Sequence, residues 1–379
     1  MKIGIVVPFS WSFWGAVVEH AELQATALEA RGHDVRLIMA NDPPGQFTRA
    51  LHPRVGRHDE PPSRVIPVGR SVIVPANGSL PNICLSPRSV RRIRTVLDRE
   101  RFDLLHLHEP MTPAICVATL SLATCPIVAT HHASGELGWM KWGMPMWGFL
   151  MRRVDQRIAV SEQARASADR WLGGPWEVIP NGVLIPDHAD PANRAHTITF
   201  VGRHEPRKGL QVLLRAWPEI RKRTGCRLEL VGADPLAVRL LLSRLRIPED
   251  GIDVRGFLPQ KELTEALRTT KALVAPSLGG ESFGMVLTRA FACATPVVAS
   301  DISGYREVVT PETATTVPPD DPAALAEAVV GLLADEDRRA AMGAAARTLA
   351  VERYSWPDLA RRLEAVYDRV VGSVESRAA

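Results

Sequence analysis

Residues 279–301 read GGESFGMVLTRAFACATPVVASD, and the fold can be worked outward from them. A glycine pair leads into a carboxylate, Glu281, and a helical run carrying Arg289 follows. Pro296–Ala299 then reads as a buried strand. A helix N-terminus gathers unpaired N–H groups and the positive end of the helix dipole, so it suits an anionic ligand such as a diphosphate. Glu281, just before it, can accept hydrogen bonds from hydroxyl groups on that ligand. Standing alone, the segment would be an ordinary βα crossover with a glycine turn.

The same alternation runs along nearly the whole chain. Short β-branched runs separated by helical patterns argue for parallel sheets covered by helices, the α/β class. In the first half the expected strands are Lys2–Val7, Val35–Met39, Leu104–Leu107, Pro126–Thr130, Gln156–Val160 and Glu177–Ile179. Helices are expected near Ala16–Arg31, Ser89–Arg101 and Ser161–Trp171, with Gly32 as a natural stop. Pro43–Ser86, rich in Pro and Gly, reads as irregular. Pro180–Ala195 is polar and proline-punctuated and reads as an interdomain linker. A second series of strands follows at Thr197–Gly202, Arg227–Val231, Ile252–Val254, Ala272–Ala275 and Pro296–Ala299. Pro322–Val371 reads as helical and amphipathic. The expected domains are 1–185, 186–355 and a helix over 356–379 that crosses back toward the first domain.

A chain of 379 residues is long enough for two such domains, since one core rarely grows past about 250–300 residues. With 46% hydrophobic and 23% charged residues it is an ordinary globular composition, and a net charge of +4 gives no reason to expect a nucleic-acid partner. Five scattered cysteines (84, 116, 125, 226 and 293) form no framework and fit a reducing cytoplasm. The opening MKIGIVVPFS reads as a first strand and not a signal peptide, so the sequon at Asn77–Ser79 carries no weight. Met111–Thr130 is uncharged, but its prolines favour a buried helix followed by a strand over a membrane span.

Doubly wound sheets hold ligands at the carboxyl ends of their strands. Polar residues do follow the expected strands. Gly15 follows the first, although it could simply allow a turn. His106 lies within Leu104–Leu107, and His108 and Glu109 follow it; His131 and His132 follow Pro126–Thr130; Arg203, Glu205, Arg207 and Lys208 follow Thr197–Gly202. A guanidinium and an ammonium at one strand end can neutralise a diphosphate leaving group, which makes Arg203 and Lys208 the strongest cationic candidates. The alternative is a solvated loop with surface charges. The histidines invite a metal reading, but strand histidines are usually packed, and no acidic DxD pair follows a strand. No metal and no cofactor are expected.

Eight segments together resemble a known family: KIGIVVPFS (2–10), LHLHEP (105–110), PIVATHH (126–132), RIAVS (157–161), IPNGV (179–183), GRHEPRKG (202–209), GGESFGMVL (279–287) and TPVVASD (295–301). The chain resembles the retaining GT4 glycosyltransferases of GT-B fold, with two Rossmann-like domains facing a central cleft. More narrowly, it is similar to the actinobacterial phosphatidylinositol mannosyltransferases. The resemblance implies metal-independent transfer of a hexose from a nucleotide sugar, GDP-mannose being favoured, to an inositol phospholipid. It implies that Arg203 and Lys208 hold the donor diphosphate, and that Gly15 and Ala16 let the first domain's loop approach it. His132 would sit beside the sugar. Glu281 would bind its hydroxyls, helped by backbone N–H groups at Phe283, Gly284 and Met285, and Leu258 would contact the base. Two positions depart from the family: Arg289 stands where a ribose-binding carboxylate is usual, and Ala16 where a second glycine is usual. Arg289 is expected to contact a phosphate or a shifted ribose instead.

On the acceptor side, Arg88, Arg91, Arg92, Arg94, Arg99 and Arg101 cluster on one expected helix and could meet an anionic membrane surface. The segment Gly138–Arg153 interleaves tryptophans, Trp139 and Trp142 among them, with methionines. It reads either as a lipid-facing surface or as a core helix. The resemblance favours the lipid-facing reading and a cytoplasmic protein peripheral to the inner membrane face. The alternatives are another nucleotide sugar with a soluble small-molecule acceptor, or a catalytically silent relative.

Overall fold

The structure is a computed structural model and describes residues 1–13, 15–52, 60–74, 81–133, 144–189 and 194–378. Trp139, Trp142 and the sequon at 77–79 lie outside the described residues. The chain divides into two compact units, Met1–Gly182 with Trp356–Ala379, and Val183–Ser355.

The first unit holds β1 (Lys2–Ser10), α1 (Ala16–Glu29), β2 (Asp34–Ala40), α2 (Gln46–Leu51), β3 (Val65–Gly69), β4 (Val72–Ile73), β5 (Asn82–Ile83), α3 (Pro87–Glu100) and β6 (Leu104–His108). It continues with α4 (Ile115–Leu122), β7 (Ile127–His131), α5 (Met144–Met151), β8 (Gln156–Ala159), α6 (Glu162–Leu172) and β9 (Glu177–Val178). Its main sheet runs β3-β2-β1-β6-β7-β8-β9, every neighbouring pair parallel. The short β4–β5 pair hangs from β1 at Phe9–Ile83.

The second unit holds β10 (Ala195–Val201), α7 (Leu210–Thr224), β11 (Arg227–Val231), α8 (Pro235–Leu245), β12 (Ile252–Gly256), α9 (Gln260–Thr269) and β13 (Thr270–Ala275). After these come α10 (Met285–Ala292), β14 (Val297–Ser300), α11 (Ser303–Arg306), β15 (Ala314–Val317), α12 (Pro322–Ala334) and α13 (Glu336–Tyr354). The sheet order is β12-β11-β10-β13-β14-β15, again all parallel. Finally α14 (Trp356–Ala378) belongs to the first unit.

Local chemistry explains where these elements start and what they bury. Asp234, Asp321 and Asp335 each precede a helix, and each accepts a backbone N–H three residues on at 2.9 Å. Such caps stabilise a helix by about 1 kcal/mol each. Central strands are largely apolar because helices cover both faces: β6, β7 and β14 are buried at every residue. In the first unit, Leu359, Leu363, Val366 and Tyr367 of α14 pack with Val18, Ala21 and Leu28 of α1 in one core.

Pro43–Ser86 is not irregular throughout, because α2, β3, β4 and β5 lie within it. In α5, the Trp147 ring is buried with Leu150 and Met151 in the core, whereas Met146 and Phe149 are exposed, so this part of 138–153 is not a wholly outward-facing surface. Among the described residues no helix is long and apolar enough to cross a membrane.

Candidate functional site

In the second unit β10 has β11 on one side and β13 on the other, so the chain reverses its direction of travel across the sheet between β10 and β13. Such a switch point opens a crevice at the strand ends. The loops after β10 and β13 meet there. Gly209 has φ +69, and any Cβ would run into the Pro276 carbonyl, so the position requires glycine and lets the two loops touch. Arg207 completes the stitching. Its carbonyl accepts the Leu278 N–H at 2.7 Å, and its guanidinium donates to the Gly280 carbonyl at 3.2 Å.

This packing gathers a charged network. Glu281 Oε1 lies 2.8 Å from Arg207 and 2.7 Å from Lys208 Nζ. Glu205 bridges Arg203 and Arg207, each at 2.8 Å. Three cations thus share two carboxylates in the resting state, leaving one net positive charge among these five side chains. The Arg203 side chain is 53% exposed, and Lys208 20%. An arriving diphosphate would compete for both, and its own charge would replace that of the carboxylates.

Behind Glu281 the backbone is equally constrained. Gly304 leaves no space for a side chain against the Glu281 carbonyl, and Gly284, at φ +83, would place a Cβ 2.7 Å from the Tyr305 ring. Tyr305 is itself fixed by a 2.8 Å hydrogen bond between its hydroxyl and Ser277. Gly284 is the N-cap of α10, and its carbonyl accepts the Leu287 N–H at 2.8 Å.

The first unit has its own switch point, where β1 is flanked by β2 and β6. Histidines from three elements gather near it. His106 and His108 alternate with Leu107 on β6, so their rings share one face and stack at 4.8 Å. His106 is held by Thr130 and Tyr367, both at 2.6 Å. His108 Nδ1 and His132 Nε2 share a proton at 2.8 Å, and His20 on α1 stands edge-on to both rings. Burial drives all four imidazoles toward the neutral form. His106 falls to about 3 and His132 to about 4, although the Glu109 carboxylate and the Asn181 side chain oppose the drop at His132. Glu109 accepts the His132 backbone N–H at 2.7 Å. Burial works to raise Glu109, but the neighbouring His131 and the bonds to His132 hold it at about 2.

Two sequence-family models match the chain, Glycosyltransferase Family 4 over residues 17–185 and Glycosyl transferases group 1 over 195–335. The phosphatidyl-myo-inositol mannosyltransferase of Mycobacterium leprae is 35% identical over 98% of both chains. The chain belongs to glycosyltransferase family 4. A second relative, the GDP-mannose-dependent alpha-(1-6)-phosphatidylinositol monomannoside mannosyltransferase of Mycolicibacterium smegmatis, is 33% identical over 62% of this chain and 68% of its own length. Among solved structures, the sucrose-phosphate synthase of Thermosynechococcus elongatus superposes with a TM-score of 0.75 at 20% identity, covering 98% of this chain and all of the other. The fold is GT-B, and the protein is a hexosyltransferase.

Within this family 4 enzyme, Arg203, Lys208, Glu281, Phe283, Gly284 and Met285 come together at the second unit's switch point. Phe283 is buried edge-on against Tyr354 at 5.6 Å, so only its backbone is available to a ligand. Leu258 is also buried, at 7% exposure, and the neighbouring Phe257 is exposed instead. Arg289 is half-buried in the last turn of α10. Gly15 has extended backbone, and a methyl added to it would meet nothing within 4 Å among the described residues; Ala16 beside it is exposed. Arg91, Arg92 and Arg94 are exposed on α3, opposite its buried Ser89, Ile93 and Val96. Sequence reasoning did not single out His20, Asn181 or Glu109 for the histidine cluster, nor Arg207 as the group that holds Glu281.

Proposed function

We propose that this glycosyltransferase moves mannose from GDP-mannose, with retention at the anomeric carbon, onto a hydroxyl of an inositol phospholipid. The observation that carries the reading is the 35% identity, over 98% of both chains, to a mannosyltransferase named for that phospholipid. Arg203 and Lys208 bind the donor diphosphate. As the bond from the anomeric carbon to phosphate oxygen breaks, negative charge collects on the leaving diphosphate, and a fixed guanidinium and ammonium stabilise it. Lys208 leaves its resting partner Glu281 as the donor arrives. Glu281, still held by Arg207, is then free to accept hydrogen bonds from the sugar hydroxyls. The N–H groups at Phe283, Gly284 and Met285 support the same end of the donor, and Leu258 and Arg289 lie on the nucleoside side. Gly15 and Ala16 admit the phosphates to the first unit's loop, and His132 lines the sugar.

The acceptor is a lipid headgroup, and Arg91, Arg92 and Arg94 hold the protein against the anionic inner face of a membrane. Each exposed arginine near such a surface contributes about 1 kcal/mol. The test is a transfer assay with radiolabelled GDP-mannose and vesicles containing phosphatidylinositol, with UDP-glucose as competing donor and free inositol as competing acceptor. Labelled mannolipid with an α-linkage is the expected product. Transfer only from the uridine donor, or only to the soluble acceptor, would overturn the reading.

A further inference from the structure

Three imidazoles of the first unit stand in an arrangement that sugar transfer does not require. His20 comes from α1, His108 from the end of β6 and His132 from just beyond β7. One nitrogen of each lies within 4.8 Å of the others. Their ring centroids form a nearly equilateral triangle with sides of 5.4, 5.0 and 5.1 Å. A tetrahedral zinc ion with Zn–N bonds of about 2.0–2.1 Å, each in the plane of its ring, holds imidazole centroids about 5.2 Å apart. The rings already stand at that spacing.

A further observation points to an occupant. Nδ1 of His20 is buried without a hydrogen-bond partner among the described residues. An orphaned buried nitrogen is costly, and a missing ion or water is the usual explanation. The donor set is all nitrogen, which suits zinc and excludes the hard oxygen-seeking cations.

We propose that His20, His108 and His132 bind one zinc ion, and that filling this site switches the transferase off. The ion replaces the proton shared by His108 and His132, whose nitrogens must separate from 2.8 Å to about 3.3 Å. Residual exposure of 5% at His20 and 7% at His132 gives the ion an edge to enter by. Water takes the fourth position. The Glu109 carboxylate, bonded to the His132 backbone at 2.7 Å, offsets part of the charge. The switch rests on the proposed function, because an imidazole occupied by metal no longer faces the sugar. The site itself does not depend on that reading.

The experiment compares chelator-stripped wild-type enzyme with His20→Asn, which keeps a polar side chain of similar shape. Each is dialysed against zinc chloride and the bound metal counted by mass spectrometry, with magnesium chloride as control. Wild type should retain one zinc per chain, and His20→Asn should bind it at least tenfold more weakly. Cobalt(II) on the wild type should give the intense visible bands of a tetrahedral site. Should the variant not fold, the wild-type cobalt spectrum decides alone, with weak octahedral bands overturning the site. Absence of stoichiometric zinc on wild type, or equal retention by His20→Asn, would also overturn it. In transfer assays zinc should abolish wild-type activity and a chelator restore it, while His20→Asn stays active. One bound zinc with full activity would overturn the switch. Metal counting and cobalt bands need no turnover, so failure of the zinc site and failure of the transfer reading are told apart.

Discussion

Gly209 lies with its Cα against the carbonyl oxygen of Pro276, leaving no room for a side chain. The contact joins the loop that carries Lys208 to the loop that carries Glu281. Gly209→Ala combines a left-handed backbone with a clash against rigid backbone, so it should destabilise the enzyme by about 2–4 kcal/mol. Thermal unfolding should show the loss, and activity should fall further than the unfolded fraction explains. An unchanged melting temperature would mean that the loops do not need this contact.

On the proposed function, the charges at the second unit's switch point separate binding from chemistry. There Lys208→Met removes a diphosphate contact and should weaken GDP binding by about 10–100-fold in calorimetry. Glu281→Gln leaves the cations in place without their carboxylate. It should bind GDP at least as tightly as wild type while kcat falls by about 100-fold or more. Parallel losses of GDP affinity in both variants would remove the assigned division of labour.

Arg207 and Lys208 both hold Glu281, and on the proposed function Arg207 alone keeps it when Lys208 turns to the donor. Arg207→Lys keeps a positive charge but loses the fork that reaches Glu281, Glu205 and the Gly280 carbonyl together. It should lower kcat by about tenfold with little change in GDP affinity. A purely structural role would lower the melting temperature without that split.

Arg289 should contact a phosphate or the ribose. Arg289→Glu is therefore expected to weaken GDP-mannose binding by about tenfold, measured by calorimetry on the same preparation. A large gain in affinity would show that the arginine makes no such contact.

Buried neutral histidines make the first unit sensitive to acid. His106 and His132 have folded values of about 3 and about 4, below the unfolded 6.5, so unfolding takes up protons. Their contribution is fully present above pH 6.5 and is lost as the pH falls from there toward 4 and 3. In chelator-treated protein each such histidine should steepen the loss by up to about 1.4 kcal/mol per pH unit. Melting temperatures from pH 8 to pH 5 should be flat above about 7 and fall below it.

Much of the fold was legible because buried parallel strands are written as unbroken apolar runs, as at Ala272–Ala275 and Pro296–Ala299. The strands that escaped are β3, β15 and the two-residue β4 and β5. β3 and β15 each end their sheet, and β3 carries Pro67, which an edge position tolerates and a central one would not. The charged residues that gather at the second unit's switch point were legible from their place after strands. His20 was not, because within helix α1 it looks like any interior residue, and only the sheet brings it to His108 and His132. Arg207 was in plain view beside Lys208, but sequence spacing cannot say which cation of a pair turns toward a carboxylate in another loop. Strand-end position also says nothing of which of two adjacent apolar residues turns inward, and here Leu258 is buried while Phe257 is exposed.

Tyr367 reaches Gln24 and His106 from a helix encoded 343 positions after Gln24. The ribosome must therefore finish the entire second Rossmann layer before the first can be sealed, and until then Leu28, Val18 and their neighbours face water without their helical cover. Biogenesis runs out of order: the half begun earliest matures last, and a nascent chain halted before residue 356 would expose a sticky, half-built sheet to whatever chaperone or protease reaches it.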